Sequence, residues 1–254
     1  SEAGNARLGN GRWLIAEADE SDASFLHLQP HIAVVTNIDT DHMATYSGDF
    51  DQLIDTFQTF LHNLPFYGLA VLCSDDPVIR GLRPHIHRPV VTYGVEAGAD
   101  YRATHIHQAG TRMQFKVVLM GERRIEVDLP IPGLHNVCNA LAAIAVADKV
   151  GIAADAIAEG LRSFAGIDRR FEILGEMILG PGRALLVDDY AHHPREIEAT
   201  LAAAQGCWPD RRKVVVFQPH RFTRTQELLD DFSALLGGVA CLVITEVYAA
   251  GEKP

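Results

Sequence analysis

The sequence predicts an α/β protein in which a central, mostly parallel sheet with an antiparallel extension precedes a partial Rossmann-like α/β domain. Apolar runs rich in β-branched residues, such as 32–36 and 69–73, alternate with helical patterns. Such runs are typical of parallel strands that are buried on both faces. The order of strands and helices restarts after a turn at 165–168. We therefore predict two domains, called here the first region (1–167) and the second region (168–254).

Charge and hydropathy exclude some classes of partner. The 254 residues include 33 acidic and 22 basic side chains, for a net charge of −11. This balance argues against nucleic-acid binding and against a polybasic membrane surface. Anionic small molecules stay open as ligands, because a few local arginines can bind them. The longest apolar run, 140–147, is far shorter than the roughly 20 residues needed to span a bilayer.

Cysteine usage and the chain ends indicate the compartment. The four cysteines are scattered and form no CxxC pair, which indicates buried thiols in a reducing compartment. The opening residues also lack the apolar core of a signal peptide, so we expect a cytoplasmic protein. The chain opens without Met in a Gly/Asn loop and stops just after an apparent strand, so we expect a piece of a longer protein.

Helical spacing and stop signals define the elements of the first region. Apolar residues recur at helical spacing over 51–63 until Pro65 ends the pattern, and Pro77 opens a further helix. Alternating patterns predict antiparallel strands joined by turns at 109–110 and 121–122. The predicted strands are 13–16, 32–36, 69–73, 90–93, 101–107, 113–120 and 124–129, and two later helices cover 135–150 and 153–164.

Acidic residues follow two of these strands at the point where each strand ends. A cluster that begins at Glu17 follows the first strand, and a polar loop follows the second. The polar residues of that loop are Asn37, Asp39, Asp41 and His42. Ligands of open α/β sheets bind at this edge, and carboxylates with an imidazole suit a divalent metal and the phosphate it accompanies. The alternative at both places is a solvated acidic segment that begins a helix.

Two asparagines begin the alanine-rich helix that Gly151 closes. Asn136 and Asn139 are three residues apart, so their amides project from the same face of its first turn. An amide there can cap the helix. It can also read the polar edge of a purine, because it offers a donor and an acceptor together.

Cations and imidazoles cluster at the strand ends of the second region. Arg169 and Arg170 lie at its entrance, where a guanidinium can clamp a phosphate between domains or form an inter-domain salt bridge. Predicted strands at 185–187 and 214–217 lead into further polar residues. These are Asp188, Asp189, Tyr190, His192, His193, His220, Arg221 and Arg224. Such an edge should face an anionic ligand, which the overall charge would otherwise repel.

Six ordered segments of the chain resemble the Mur ligases. They are EADESDASF (17–25), TNIDTDHMATYSGDF (36–50), FLHNLPFYG (60–68), HNVCNALAA (135–143), VDDYAHHP (187–194) and FQPHRFTRT (217–225). Within the family they are most similar to the branch that adds L-alanine to UDP-N-acetylmuramate. The resemblance implies a bacterial, cytoplasmic, ATP-dependent ligase of peptidoglycan precursor synthesis, with the first region as its ATPase domain. It also implies a monomer or weak homodimer.

The resemblance also implies a mechanism and a set of site residues. The muramate carboxylate takes the γ-phosphoryl group of ATP, and the amine of L-alanine attacks the resulting acyl phosphate. Mg²⁺, or Mn²⁺ in its place, neutralises the developing charge. The implied catalytic residues are Glu17, His42 and His193, with Glu17 and His42 as metal ligands. The implied ATP-binding residues are Asn136, Asn139, Arg170, Asp189 and His192, and the implied substrate-binding residues are His220, Arg221 and Arg224.

The sequence departs from the family pattern in two ways. No GxxxxGK[ST] phosphate loop and no UDP-binding domain precede these segments, so we expect the chain by itself not to turn over. Many relatives carry a carbamylated lysine about fifteen residues beyond the metal-binding histidine, but here Phe57 occupies that position. The absence of this lysine favours the alanine-adding branch. The alternatives are a ligase that recycles a muramate tripeptide and a non-catalytic nucleotide-binding module.

Overall fold

The computed structural model describes residues 9–119, 123–180 and 182–253. The first region contains a six-stranded sheet in which the spatial order of the strands follows the sequence order. The strands are β1 Ile32–Val35, β2 Leu69–Cys73, β3 Val90–Gly94, β4 Tyr101–Ala109, β5 Arg112–Val118 and β6 Arg124–Leu129. The pairs from β1 to β4 are parallel, and β5 and β6 extend the sheet antiparallel. The predicted fold class is confirmed.

Local sequence signals explain where the helices of the first region begin. The Asp49 side chain accepts hydrogen bonds from the backbone amides of residues 51 and 52, and Asp76 accepts one from residue 79. Both carboxylates satisfy amides that the first helical turn leaves unpaired. The helices are α1 Phe50–His62, α2 Pro77–Leu82, α3 Leu134–Lys149 and α4 Ala154–Arg162.

Helix α3 packs against the sheet and joins the main core. Leu141, Ile144 and Ala145 are fully buried, as are Tyr93 and Tyr101 from the strands beneath. The Tyr101 hydroxyl donates to the Asp148 carboxylate at 2.7 Å, which satisfies a polar group that burial would otherwise leave without a partner. This packing sets the position of the first turn of α3.

The second region is smaller and less deeply buried. Strands β7 Glu172–Leu179 and β8 Gly182–Asp188 form an antiparallel hairpin. They are followed by α5 Pro194–Cys207, β9 Val215–Phe217, α6 Phe222–Glu227, α7 Leu229–Leu236 and β10 Leu242–Ile244, and β10 pairs with β9 in parallel. Its main core cluster consists of Ile197, Phe217, Phe232 and Leu236. The predicted boundary at 167 and 168 falls between α4 and β7 and stays a prediction.

The predicted strand at 13–16 is wrong. This segment is irregular, and Leu14 and Ile15 are 92% and 91% exposed. Among the described strands β1 pairs only with β2, so the segment at 13–16 does not pair with the free edge of β1 and lacks the backbone partners of a strand. The predicted loop at 1–8 and the predicted turn at 121–122 lie outside the described residues. In the described ranges, no helix combines the length and the apolar character needed to cross a membrane.

Candidate functional site

Two acidic segments lie side by side at the carboxyl edge of β1. The Tyr46 hydroxyl donates to the Glu20 carbonyl, and the Thr45 hydroxyl donates to the Ser21 carbonyl. Burial raises the pKa of Tyr46, and the nearby carboxylates of Glu20, Asp19 and Asp22 raise it further. The segments that follow 13–16 and β1 are therefore in contact and form a strongly negative edge.

The two predicted metal ligands lie on these segments. Glu17 is exposed, and His42 Nε2 lies 3.5 Å from Asp41 Oδ2. His42 has a φ of 54°, a left-handed conformation that is strained for a residue with a Cβ and is enriched at functional sites. Within the described ranges, no group of three or more His, Cys, Asp or Glu side chains is arranged to hold a metal ion. The metal assignment stays a prediction.

Cations of the second region pair with the two aspartates of the β1 exit. Arg195 Nε lies 2.9 Å from Asp39 Oδ2. Arg224 Nη2 lies 3.1 Å and 3.2 Å from the two carboxylate oxygens of Asp41. Burial raises the pKa of Asp41, but the positive charge of Arg224, the nearby His42 and their hydrogen bonds outweigh it, so that the pKa lies below its ordinary value. Arg224, predicted to bind substrate, therefore bridges the two regions.

The three predicted histidines of the second region differ in which ring nitrogen carries the proton. His192 Nδ1 lies 3.0 Å from the Tyr190 carbonyl, which can only accept, so this nitrogen donates. His193 Nδ1 accepts from the Arg195 amide at 3.4 Å, and His220 Nδ1 faces Arg224 Nη1 at 3.4 Å. Both of these rings therefore carry their proton on Nε2 when neutral.

His193 and His220 differ in their surroundings. His193 is buried at the N-cap of α5, 3.9 Å from the Asp39 carboxylate, and its Nε2 is buried without a hydrogen-bond partner among the described residues. The pKa of His220 is lowered by burial and then by the charges of His192 and Arg224, among others. A neutral His220 is thus favoured at neutral pH. The catalytic role of His193 and the substrate role of His220 stay predictions.

The first turn of α3 begins on a glycine. Gly133 has a φ of 100°, and a Cβ there would lie 2.5 Å from the His135 ring and 3.3 Å from Ala203 of α5. Asn136 Nδ2 donates to the Pro132 carbonyl at 2.7 Å. The cap of α3 is Gly133, with no side-chain cap bond, so the alternative in which an asparagine caps this helix is wrong. Asn139 is exposed one turn later.

Asp189 and Arg170 lie close to this turn. Burial lowers the pKa of His135, the Asp189 carboxylate opposes that shift, and the Arg170 guanidinium adds to it. Asp189 accepts backbone hydrogen bonds from Phe171 and Ala191, each at 2.8 Å. The structure thus places two predicted ATP-binding residues, Arg170 and Asp189, near the start of α3. Asp189 also stabilises its own loop through these backbone hydrogen bonds.

The alternative of an inter-domain salt bridge at Arg169 or Arg170 is wrong. Arg170 Nη1 lies 3.3 Å from Glu196, and Arg169 Nε lies 3.5 Å from Asp188. All four side chains belong to the second region. Both arginines also lie over the Tyr190 ring, at 4.7 Å for Arg169 and 6.0 Å for Arg170. Both arginines pair within the second region because they lie beside the end of β8, close to acids of that region.

Family models match both regions. The Mur ligase middle domain matches residues 13–147, and the Mur ligase glutamate ligase domain matches residues 169–254. The chain belongs to the Mur ligase family. The resemblance seen in the sequence is therefore confirmed.

Solved structures share the fold of this Mur ligase chain. UDP-N-acetylmuramate-alanine ligase MurC from Thermotoga maritima is 30% identical, with a TM-score of 0.73 over 91% of this chain and 49% of that chain. A murein peptide ligase from Psychrobacter arcticus is 23% identical, with a TM-score of 0.60 over 87% and 51%. MurF ligase from Thermotoga maritima in complex with ADP is 19% identical, with a TM-score of 0.66 over 85% and 48%.

The three likenesses carry different weight. The chain spans about half the length of each of these structures. The murein peptide ligase and the MurF ligase are below 25% identity, so their likeness shows the fold alone.

Sequence reasoning missed several contacts of this Mur ligase site. Glu196 accepts from the amides of His192 and His193 and completes a capping box. The spacing from His193 to Glu196 is the signal that would have found it. Arg195 carries no such signal, because its partner Asp39 lies far away in sequence.

Proposed function

We propose that this chain supplies the ATP-binding middle region and part of the C-terminal region of the Mur ligase that joins L-alanine to UDP-N-acetylmuramate. The observation that carries the proposal is the 30% identity to MurC over 91% of this chain. Phe57 at the position of the carbamylated lysine also supports it. We expect the enzyme to work in the bacterial cytoplasm, where ATP is available, as a monomer or weak homodimer.

The chemistry requires that several anionic groups share one cleft. A carboxylate must accept a phosphoryl group from ATP before an amine can displace phosphate and form the amide. Exposed Arg221 and the imidazoles of His192 and His220 are suited to bind and orient these anions. The Nε2 proton of buried His193 is available to an acceptor oxygen. We assign these residues to the substrates on that basis.

Glu17 and His42 offer a carboxylate and an imidazole to a divalent ion at the acidic edge. Arginines engage Asp39 and Asp41, whereas Glu17 is exposed, so its carboxylate is open to Mg²⁺. Mg²⁺ usually takes one or two carboxylates together with substrate phosphates and waters. An imidazole such as His42 suits Mn²⁺ better. When bound, the ion would neutralise charge on the phosphoryl group.

The start of α3 fits a purine. The amide nitrogen of Asn136 donates to Pro132, which leaves its carbonyl oxygen as an acceptor for an exocyclic amine. Exposed Asn139 offers both a donor and an acceptor on the same face. We propose that both residues bind adenine and that Arg170, Asp189 and His192 lie on the side of the ATP phosphates.

Substrate preference tests the proposed function. We expect the complete gene product to form an amide with L-alanine, UDP-N-acetylmuramate and ATP, with a kcat/KM about 100-fold above that for a tripeptide, because a site built for a small amine rejects a larger one. Phosphate release and mass spectrometry of the product measure this. A preference for tripeptide would instead support the recycling ligase. Nucleotide binding without turnover of either amine would support the non-catalytic module.

Replacing Arg170 with alanine is expected to weaken nucleotide binding about tenfold in the complete gene product, because a charge-assisted contact to phosphate is lost. The free energy of unfolding should change by less than about 1 kcal/mol, since the Arg170–Glu196 pair is half-exposed. Calorimetric titration with ATP measures the affinity. Arg162→Ala is the matched control, because Arg162 also forms a half-exposed pair, with Glu159 at 3.0 Å. Equal affinities for the two variants would remove Arg170 from the phosphate site.

A further inference from the structure

The guanidinium of Arg224 contacts Asp41 across the boundary between the regions and His220 within its own region. Its Nε lies 3.3 Å from Asp41 Oδ1, and its Nη2 reaches both oxygens of that carboxylate at 3.1 Å and 3.2 Å. Its Nη1 faces His220 Nδ1 at 3.4 Å. The two charged partners are 183 residues apart in sequence. In this arrangement, each guanidinium nitrogen already has a protein partner.

Burial distinguishes this pair from its neighbour. The Arg224 side chain is 7% exposed and that of Asp41 is 26% exposed, whereas Arg195, which pairs with Asp39, is 62% exposed. Taking a guanidinium out of water is costly unless a carboxylate compensates for the lost hydration. Burial of Arg224 therefore depends on Asp41. Arg195 has no such requirement, because water can replace its partner, although Asp39 itself is only 18% exposed.

We propose that Asp41 is a positioning residue that holds Arg224 and, through it, seats the second region against the β1 exit beside His42. Arg224 thus holds the two regions together. The exposed Arg221, which lies in the same FQPHRFTRT segment, is then the cation that binds the anionic substrate. The inference rests on the proposed function only for the identity of that substrate. It revises the role of Arg224 that the sequence resemblance implies.

An uncharged contact between the regions lies toward the other end of α5. Gln108 Nε2 in β4 donates to the Ala203 carbonyl at 3.0 Å. A Cβ at Gly206 would lie 2.7 Å from the Gln108 amide group, so the glycine permits this close approach. This contact contains no charge and does not involve Asp41. It should keep the regions associated when the Asp41–Arg224 pair is broken.

Hydrogen exchange tests the docking role without any need for activity. In Asp41→Asn and Arg224→Gln, amides at 36–46 and 218–228 should exchange about tenfold faster or more, because each variant leaves a buried group without its charged partner. Arg195→Ala is the matched control and should change these rates less than about threefold, since Arg195 is 62% exposed and Asp39 keeps His193 as a neighbour at 3.9 Å. The measurement is exchange followed by mass spectrometry on this chain.

The double variant Asp41→Asn/Arg224→Gln measures the coupling. It leaves no unpaired buried charge, so its exchange rates should rise by much less than the product of the two single effects. It also keeps the test decisive if a single variant fails to fold. The proposal would be overturned if the exchange rates of the double variant rose by the product of the two single effects. It would also be overturned if the single variants exchanged as slowly as the Arg195→Ala control.

Kinetics separate positioning from direct contact with substrate. In the complete gene product, Asp41→Asn should raise the KM for UDP-N-acetylmuramate about tenfold with less than a threefold change in kcat, because the cleft is assembled less often. Arg221→Ala should raise the same KM while exchange stays unchanged. A raised KM in Asp41→Asn with unchanged exchange would show that Asp41 acts on the substrate directly, against the proposal. A different amine preference would contradict the proposed function and leave the exchange result intact.

Discussion

Replacing Glu17 with alanine is expected to lower kcat about 100-fold or more in the complete gene product, while the free energy of unfolding changes by less than about 0.5 kcal/mol. The loss of turnover follows if Glu17 is the carboxylate that binds Mg²⁺, since a metal supplies several kcal/mol of charge stabilisation to phosphoryl transfer. Folding should be insensitive, because Glu17 is exposed and lies outside the regular elements. Steady-state rates at several magnesium concentrations and urea denaturation provide the two measurements.

Asp55→Ala is the control for this prediction. Asp55 is an exposed acid on α1, so its loss removes one negative charge without touching the acidic edge. It should retain wild-type kcat. If Glu17→Ala also keeps the wild-type rate at saturating magnesium, Glu17 is not a metal ligand. If it unfolds the protein, the lost activity has a structural origin.

Leu141→Ala is expected to lower the free energy of unfolding by about 2–5 kcal/mol, because a fully buried leucine loses its packing and leaves a cavity. Leu141 is 0% exposed in the middle of α3, the helix that carries Asn136 and Asn139. Nucleotide affinity should fall together with stability if the core sets the position of that first turn. Urea denaturation and ATP titration measure the two effects.

The same helix provides the control for Leu141. Leu134 is 51% exposed at the start of α3, so Leu134→Ala removes the same atoms from a half-solvated site. It should cost less than about 1 kcal/mol, since little apolar surface returns to water. Equal losses for the two variants would show that α3 is not packed on the sheet as described.

Much of the fold was predictable because its signals are local. The strand at 69–73 appears with the predicted bounds, and Gly151 closes α3 with a φ of 88°. These features depend on runs of apolar residues and on turn chemistry within a few positions. The strand at 13–16 was predicted from a local apolar pattern, but a strand also requires backbone pairing, which this segment does not form.

The site was predictable in position and less so in its contacts. Strand ends place Asp41, His42, His220 and Arg224 at sheet edges, and the structure brings these edges together. Sequence patterns did not reveal that Arg224 would meet Asp41, nor that Arg170 would pair within its own region. Ion-pair choice depends on which side chains become desolvated together, and this follows from the path of the chain.

By itself, the sequence determined the α/β class, the order of most elements and the resemblance to the Mur ligase family. These follow from periodicity and from ordered motifs that act over short distances. Only the tertiary structure decided that the acids after β1 pair with cations of the second region, and that Arg224 is buried by its pair with Asp41. The physical reason is that burying a charge requires a partner in space, and partners distant in sequence meet only when the chain has folded.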